Sequence, residues 1–205
     1  MIIDTETYKL SENQYLVPET IKKQIVIGHT GTRDMKHVVK WTTRLNGKYK
    51  KTAAFTISKG GHVFNHFDPI FSSSILDSIH QDKRSIVILL ENEGWLTHDE
   101  ENDEFIDWLG YIYNNPEEII EKKWRSYQYW APYTKEQFES TVELVKQLCD
   151  EFFIPRYAVA HNTKLDEVID FEGILYRSNF DVNYTDLNPT WDFSLFKQMI
   201  ENEDQ

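Results

Sequence analysis

The sequence predicts an α/β domain in which a central mixed β-sheet is flanked by helices, and three observations carry that expectation. Ile25, Val26 and Ile27 close on Gly28 and His29, an apolar run of strand length bounded by glycine and polar residues. Ile86 to Leu90 is a second such run; it shows no polar alternation, which predicts a central strand covered on both faces. Thr134 and Gln137 form a capping-box pair ahead of Phe138, Val142, Val145, Cys149 and Phe152, apolar at helical spacing.

The remaining elements follow in order. Residues 1–22 are polar, with Pro18 near the end, and predict an N-terminal arm or short strand before a domain over 23–205. Met35, Val38, Val39 and Trp41 give helical spacing over 34–44, which Asn46-Gly47 breaks. Ala53, Phe55 and Ile57 alternate before Gly60-Gly61, and residues 62–67 resume, the pattern of a hairpin. Residues 95–133 predict an aromatic-rich insertion, with the acidic run 99–104 as a solvated loop or helix start. Ile154-Pro155 ends the long helix; short strands are then expected over 157–160, running into His161, and over 173–176, running into Arg177. A terminal helix over 194–200 closes the chain. No internal repeat or low-complexity linker is visible.

Composition narrows the function. A net charge of −12 without a strong basic run argues against a nucleic-acid partner. Cys149 is the single cysteine, so no intramolecular disulfide and no cysteine-rich zinc module can form, and it falls on the apolar stripe of the long helix as a packing thiol. Residues 1–10 carry Asp4, Glu6 and Lys9 and lack the features of a signal peptide, and no run reaches the ~20 apolar residues of a membrane span. The expectation is a protein cytoplasmic where it is made, with no membrane insertion. Aromatic residues make up 14% of the chain, serving core packing or a stacking surface for sugar or peptide, for which Trp130 and Tyr133 are the candidates; packing is the stronger claim.

His29 is the first candidate for chemistry, since a strand's end is where side chains converge on a ligand or metal. A lone histidine there is more often a hydrogen-bonded structural residue. The order of motifs changes its standing. Residues 25–32, IVIGHTGT, the central SIVIL of 85–89, the helix entry with Tyr133, Thr134 and Gln137, and TDLNPTWDF of 185–193 resemble, in the same order, segments of the zinc-dependent N-acetylmuramoyl-L-alanine amidases, the fold of phage lysins and peptidoglycan recognition proteins. The resemblance spans roughly residues 23–196 and marks a divergent member.

What the resemblance implies is zinc-assisted hydrolysis of the muramoyl to L-alanine amide in peptidoglycan. Three protein ligands leave zinc an open position, where it lowers the pKa of bound water from about 15.7 to about 7 and polarises the scissile carbonyl. Carried over by position, His29 is the first ligand and Asp186 the last. The second is His161 or the place held by Arg177, whose guanidinium has no lone pair for zinc. Ala53 or Ala54, Leu89 and Tyr184 stand where relatives carry catalytic groups; Glu91, two residues after Leu89, and the Tyr184 hydroxyl are the candidate replacements. The same residues leave a second reading open. An Arg177–Asp186 ion pair would keep the architecture without zinc, giving a pseudoenzyme that binds cell-wall peptide or serves, with an assembly partner, as a structural component of a virion. Either reading suits a phage-like protein released by lysis or carried in a particle.

Overall fold

The two apolar runs lie side by side as parallel strands, buried at every position, in register from Gln24 opposite Ser85 to His29 opposite Leu90. The structure, a computed structural model, describes residues 2–76 and 78–202; Met1 of the arm, Asp77 and residues 203–205 of the expected domain lie outside the described residues. In chain order the elements are β1 (Ile3–Asp4), β2 (Gln24–His29), α1 (Lys36–Thr43), β3 (Phe55–Ile57), β4 (Val63–Asn65), α2 (Ile79–Arg84), β5 (Ser85–Leu90), β6 (Trp95–Asp99), β7 (Glu104–Asp107), β8 (Ile120–Trp124), β9 (Tyr127–Trp130), α3 (Lys135–Phe152), β10 (Gly173–Tyr176) and α4 (Phe193–Glu201). The central sheet has the order β1-β4-β3-β5-β2-β10, parallel except for the β3–β4 hairpin. It is the expected mixed sheet flanked by helices, with β3 and β5 at its middle and β2 between β5 and the edge strand β10.

Burial on both faces leaves polar groups in these strands only internal partners. The Gln24 amide nitrogen donates to the carbonyls of Val168 and Phe171, both at 2.7 Å, and Ser85 Oγ donates to Gln24 Oε1 at 3.1 Å. These bonds tie the 168–171 loop to the base of the sheet. The strand expected over 157–160 reduces to one bridge, Ala158 beside Ile174, and the arm contributes β1 at the sheet edge beside β4. The six-residue α2 lacks enough turns for a readable apolar period, and its sequence does not announce it.

α3 begins as its capping box requires: Thr134 Oγ1 accepts from the Gln137 N–H at 3.1 Å and Gln137 Oε1 accepts from the Thr134 N–H at 3.2 Å. The amide nitrogen of Gln137 also donates to the carbonyls of Ile57 and Glu91, pinning the helix start to the ends of β3 and β5. Val142, Val145, Leu148 and Cys149 face the core. α4 joins them through the rings of Phe138, Trp191 and Phe196. Among the described residues no helix is long and apolar enough to cross a membrane.

The aromatic-rich stretch forms its own antiparallel sheet, β7-β6-β9-β8, over a small core of Leu96, Tyr113 and Ala131. The acidic run is a solvated loop and not a helix start: Asp99 ends β6, Glu104 opens β7, and in the exposed turn between them Asp99 Oδ1 accepts from the Glu101 N–H at 3.0 Å. Charge repulsion is relieved there by solvent exposure. Trp130 is completely buried beneath this sheet, with its indole N–H donated to the Lys122 carbonyl at 2.8 Å. A ring with no exposed surface cannot be a substrate platform, so the packing role holds and the substrate-binding expectation for Trp130 is corrected.

Candidate functional site

The parallel strands β2, β5 and β10 all end at one edge of the sheet, and the chain leaves them there in loops, the usual location of ligand sites in such sheets. Arg177 follows β10 in a short 3-10 turn, and Asp186 comes from the loop before α4. Asp186 Oδ2 accepts from the backbone N–H of His29 at 3.0 Å and from Arg177 Nη1 at 3.2 Å. Its carbonyl accepts from the Ser178 N–H at 2.7 Å, so the two loops are joined by backbone as well as by charge. The guanidinium lies 4.2 Å over the Tyr184 ring. Burial alone would lower the pKa of Arg177, but the Asp186 carboxylate and Tyr184 more than offset it and the net shift is upward.

Strand alternation decides which residue of β2 faces this pair. A Cβ added at Gly28 would lie 2.6 Å from Arg177 Cδ and closer still to Asp186 Oδ2. The space beside Asp186 is therefore available to Arg177 because position 28 has no side chain. His29 touches Asp186 only through its backbone; its ring turns away toward Gly94, and Nδ1 lies 3.1 Å from Tyr133 Oη. Tyr133 Oη also accepts from the Asn188 N–H at 3.3 Å, which leaves its own proton available to Nδ1; donated there, it would place the His29 proton on Nε2. Burial is the main cause that lowers the His29 pKa, with Asp186 opposing and Arg177 reinforcing, and the ring is neutral at pH 7.

His161 does not join the cluster. It is exposed, its Nδ1 is 2.8 Å from Thr163 Oγ1, and its carbonyl accepts from Asn179 Nδ2 at 3.1 Å. Glu91 is likewise turned aside: Oε2 accepts from the Lys59 N–H at 3.0 Å, and burial raises its pKa. β5 ends at Leu90, so the two-residue alternation that would align Glu91 with Leu89 does not continue. Tyr133 serves the site through its hydroxyl, and its ring packs edge-on against Trp191.

A groove of about 570 Å³ opens over His29, Arg177, Tyr184 and Asp186 and is also lined by Trp95 of β6 and by Glu93 and Trp108 from the loops flanking the second sheet. These three went unread in the sequence because their direction depends on how that sheet folds back. Trp108 is anchored by its indole N–H to the Gly31 carbonyl, and Trp95 stacks on Tyr127 at 4.4 Å between centroids. One side of the groove thus carries an arginine–aspartate ion pair and a histidine, the other two indole rings and a carboxylate.

Zinc does not fit this donor set. Asp186 Oδ2 is already engaged by an N–H and a guanidinium, His29 Nδ1 is engaged by the Tyr133 hydroxyl, and the arginine has no lone pair to give. Among the described residues no three His, Cys, Asp or Glu side chains converge as a metal site.

Comparison with known proteins gives this geometry a family. The model of the N-acetylmuramoyl-L-alanine amidase family matches residues 18–170. No curated protein matches the chain by sequence. Among solved structures, a mutant of PlyL superposes with a TM-score of 0.60 at 9% identity, over 99% of this chain and 100% of that one. The N-acetylmuramoyl-L-alanine amidase LysC from Clostridium intestinale URNW gives 0.57 at 13%, over 99% of both chains. AmiD from E. coli, in complex with anhydro-N-acetylmuramic acid-L-Ala-D-γ-Glu-L-Lys, gives 0.53 at 12%, over 89% of this chain and 59% of that one. At such identities the superpositions establish a shared fold.

Proposed function

Because the chain belongs to the N-acetylmuramoyl-L-alanine amidase family, a family of peptidoglycan-directed hydrolases, we propose that its groove receives a muramoyl peptide and holds it through Arg177, without zinc. The observation that carries this reading is the Arg177–Asp186 ion pair lying in the space that Gly28 leaves open. A guanidinium fixed on a buried carboxylate keeps its remaining N–H groups for the carbonyls or carboxylates of a bound peptide. His29 Nε2–H is a second neutral donor, and the Trp95 and Trp108 rings suit the apolar faces of a sugar. The ligand class is that of the AmiD complex, a muramoyl group followed by L-Ala, D-γ-Glu and a third residue.

Family membership favours a second reading, the hydrolase: cleavage of the muramoyl to L-alanine amide by zinc-activated water, with His29, His161 and Asp186 as ligands and Glu91 or Tyr184 assisting. It requires His161 to leave the surface and Arg177 to give up Asp186. Either way the ligand is the cell wall, reached by lysis or by carriage in a phage particle, where a structural assembly partner would also belong. Metal content after zinc-replete purification, measured with muropeptide binding and peptide release, separates the two. Binding without zinc or release supports the first reading. Stoichiometric zinc that is lost in His29→Ala, with release of free peptide, overturns it in favour of the hydrolase.

A further inference from the structure

Next to the groove, and sharing Arg177 with it, lies a second cavity of about 310 Å³, lined further by Thr32, His37, Arg44, Tyr49 and Lys51. In a chain of net charge −12, no Asp or Glu among the described residues lines this cavity. Arg177 is balanced by Asp186 at 3.2 Å, and Asp34, near His37, is paired with Lys36 at 3.5 Å. Arg44 and Lys51 are exposed and have no carboxylate partner among the described residues; the Arg44 guanidinium lies 5.2 Å over the Tyr49 ring. The cavity thus carries two positive charges that nothing described offsets.

Two buried atoms of opposite polarity are also left unmet in its lining residues. Arg177 Nε–H has no acceptor, and His37 Nε2 has no partner among the described residues. His37 Nδ1 lies 3.0 Å from the Asp34 carbonyl, which only accepts, so Nδ1 carries the ring proton. Burial is the main cause that lowers the His37 pKa below 6.5, against the Asp34 carbonyl, so at neutral pH Nε2 keeps its lone pair. A ligand that satisfies both atoms must accept from the arginine and donate to the histidine. A carboxylate or a sulfate offers acceptors alone, and a sugar hydroxyl brings no charge for Arg44 and Lys51. Hydrogen phosphate brings acceptor oxygens, about two negative charges and one O–H. The cavity has room for roughly ten waters at about 30 Å³ each, more than the ion fills, so the phosphate can also arrive on a sugar whose own hydroxyl makes the donation.

We propose that this cavity binds a phosphoryl group accompanied by one O–H donor: Arg44 and Lys51 neutralise it, Arg177 Nε–H donates to it, and His37 Nε2 accepts from the O–H. The inference goes beyond the muramoyl-peptide reading and does not depend on it. Free phosphate and a phosphorylated sugar share this chemistry.

Calorimetric titration of the whole chain at neutral pH tests it with inorganic phosphate, sulfate and N-acetylglucosamine 6-phosphate. Phosphate should bind about tenfold or more tightly than sulfate, which faces the His37 lone pair without a proton to give. Lys51→Met and Arg44→Met, both at exposed positions, should each weaken phosphate binding about tenfold by removing a charge-assisted contact. His37→Phe should bring phosphate down to the affinity of sulfate; should that variant fail to fold, the two methionine variants still decide. Tighter binding of the sugar phosphate than of phosphate assigns the site to a phosphoryl group carried on a saccharide, and the reverse order assigns it to the free ion. Binding of neither, equal affinity for phosphate and sulfate, or an affinity unchanged in Lys51→Met and Arg44→Met overturns the phosphoryl site. Those results leave the muramoyl-peptide reading standing, since no muropeptide enters the titration.

Discussion

Arg177 and Asp186 are joined at 3.2 Å across the one position of β2, Gly28, that carries no side chain. The contact makes the glycine part of the site, because any Cβ there competes with the ion pair for the same volume.

Gly28→Ala should therefore destabilise the fold although alanine is otherwise the better strand residue. The added methyl would sit 2.6 Å from Arg177 Cδ, and forcing atoms into a filled site costs about 1–3 kcal/mol. Chemical unfolding should show a lower midpoint with an unchanged slope. An unaltered midpoint would mean that Arg177 moves aside freely and the pair is loose.

Arg177→Met leaves the Asp186 carboxylate, 2% exposed, with a single N–H donor from His29. Removing one partner of a buried ion pair costs on the order of 3–5 kcal/mol, much of it the stranded charge. Adding Asp186→Asn removes that charge, so the double variant should be more stable than Arg177→Met alone. A double-mutant cycle that finds the two losses additive would exclude the coupling.

His29 should be neutral at pH 7 with its proton on Nε2, because burial lowers its pKa below the ordinary 6.5 and Tyr133 donates to Nδ1. Nitrogen chemical shifts should report that tautomer from neutral pH down past 6.5, with protonation only at lower pH. Tyr133→Phe removes the donor and should mix the tautomers, at a cost of about 1 kcal/mol for the lost hydrogen bond. A ring that titrates at its ordinary pH and is indifferent to Tyr133→Phe would contradict the arrangement.

A second histidine sets the acid limit of the fold. His66 is buried under the β3–β4 hairpin between Thr56 Oγ1 at 2.8 Å and the Tyr8 carbonyl at 2.9 Å, and burial lowers its pKa to about 4. With the folded pKa below the unfolded 6.5, the unfolded chain binds the extra proton first. Stability from this residue is complete above pH 6.5 and is lost as pH falls from 6.5 to about 4, a total on the order of 3 kcal/mol. His66→Gln should flatten the unfolding free energy across that window, measured by urea titration at successive pH values.

The fold was legible where one physical signal dominated. Residues 25–27 and 86–90 are apolar without interruption because both faces are covered, and the Thr134–Gln137 box is a local hydrogen-bond pattern that needs no tertiary context. The second sheet was not legible, since β8, IEKKW, is exposed at four of its five positions and carries no strand-like apolar face. At the site, Asp186 and Arg177 could be singled out by chemistry, and their pairing follows from charge. A histidine draws attention by residue type, yet the pleat decides direction, and it is the silent Gly28 that faces the pair. Glu93 and Trp108 were hidden for a related reason: the loops that aim them at the groove come from a sheet whose own pairing could not be foreseen.

If positions 28, 177 and 186 are mutual neighbours, they should also define a metal site once chemistry permits. Gly28→His with Arg177→His brings two imidazoles to the Asp186 carboxylate, a three-ligand set with a fourth position open to water, which zinc accepts once the Asp186 side chain rotates away from the Cβ at 28 that would otherwise overlap its Oδ2. The arginine must go together with the glycine, because Arg177 both crowds a side chain at 28 and holds Asp186 against it, and either substitution alone leaves at most two ligands. The double variant should therefore bind one zinc per chain after zinc-replete purification, with the wild-type protein and both single variants empty. Cobalt substitution, read through its visible spectrum, would report four-coordinate geometry. Zinc in the wild-type protein that is insensitive to these positions and lost in His29→Ala would relocate the metal to the His29 ring, and would remove Arg177 from the role assigned to it.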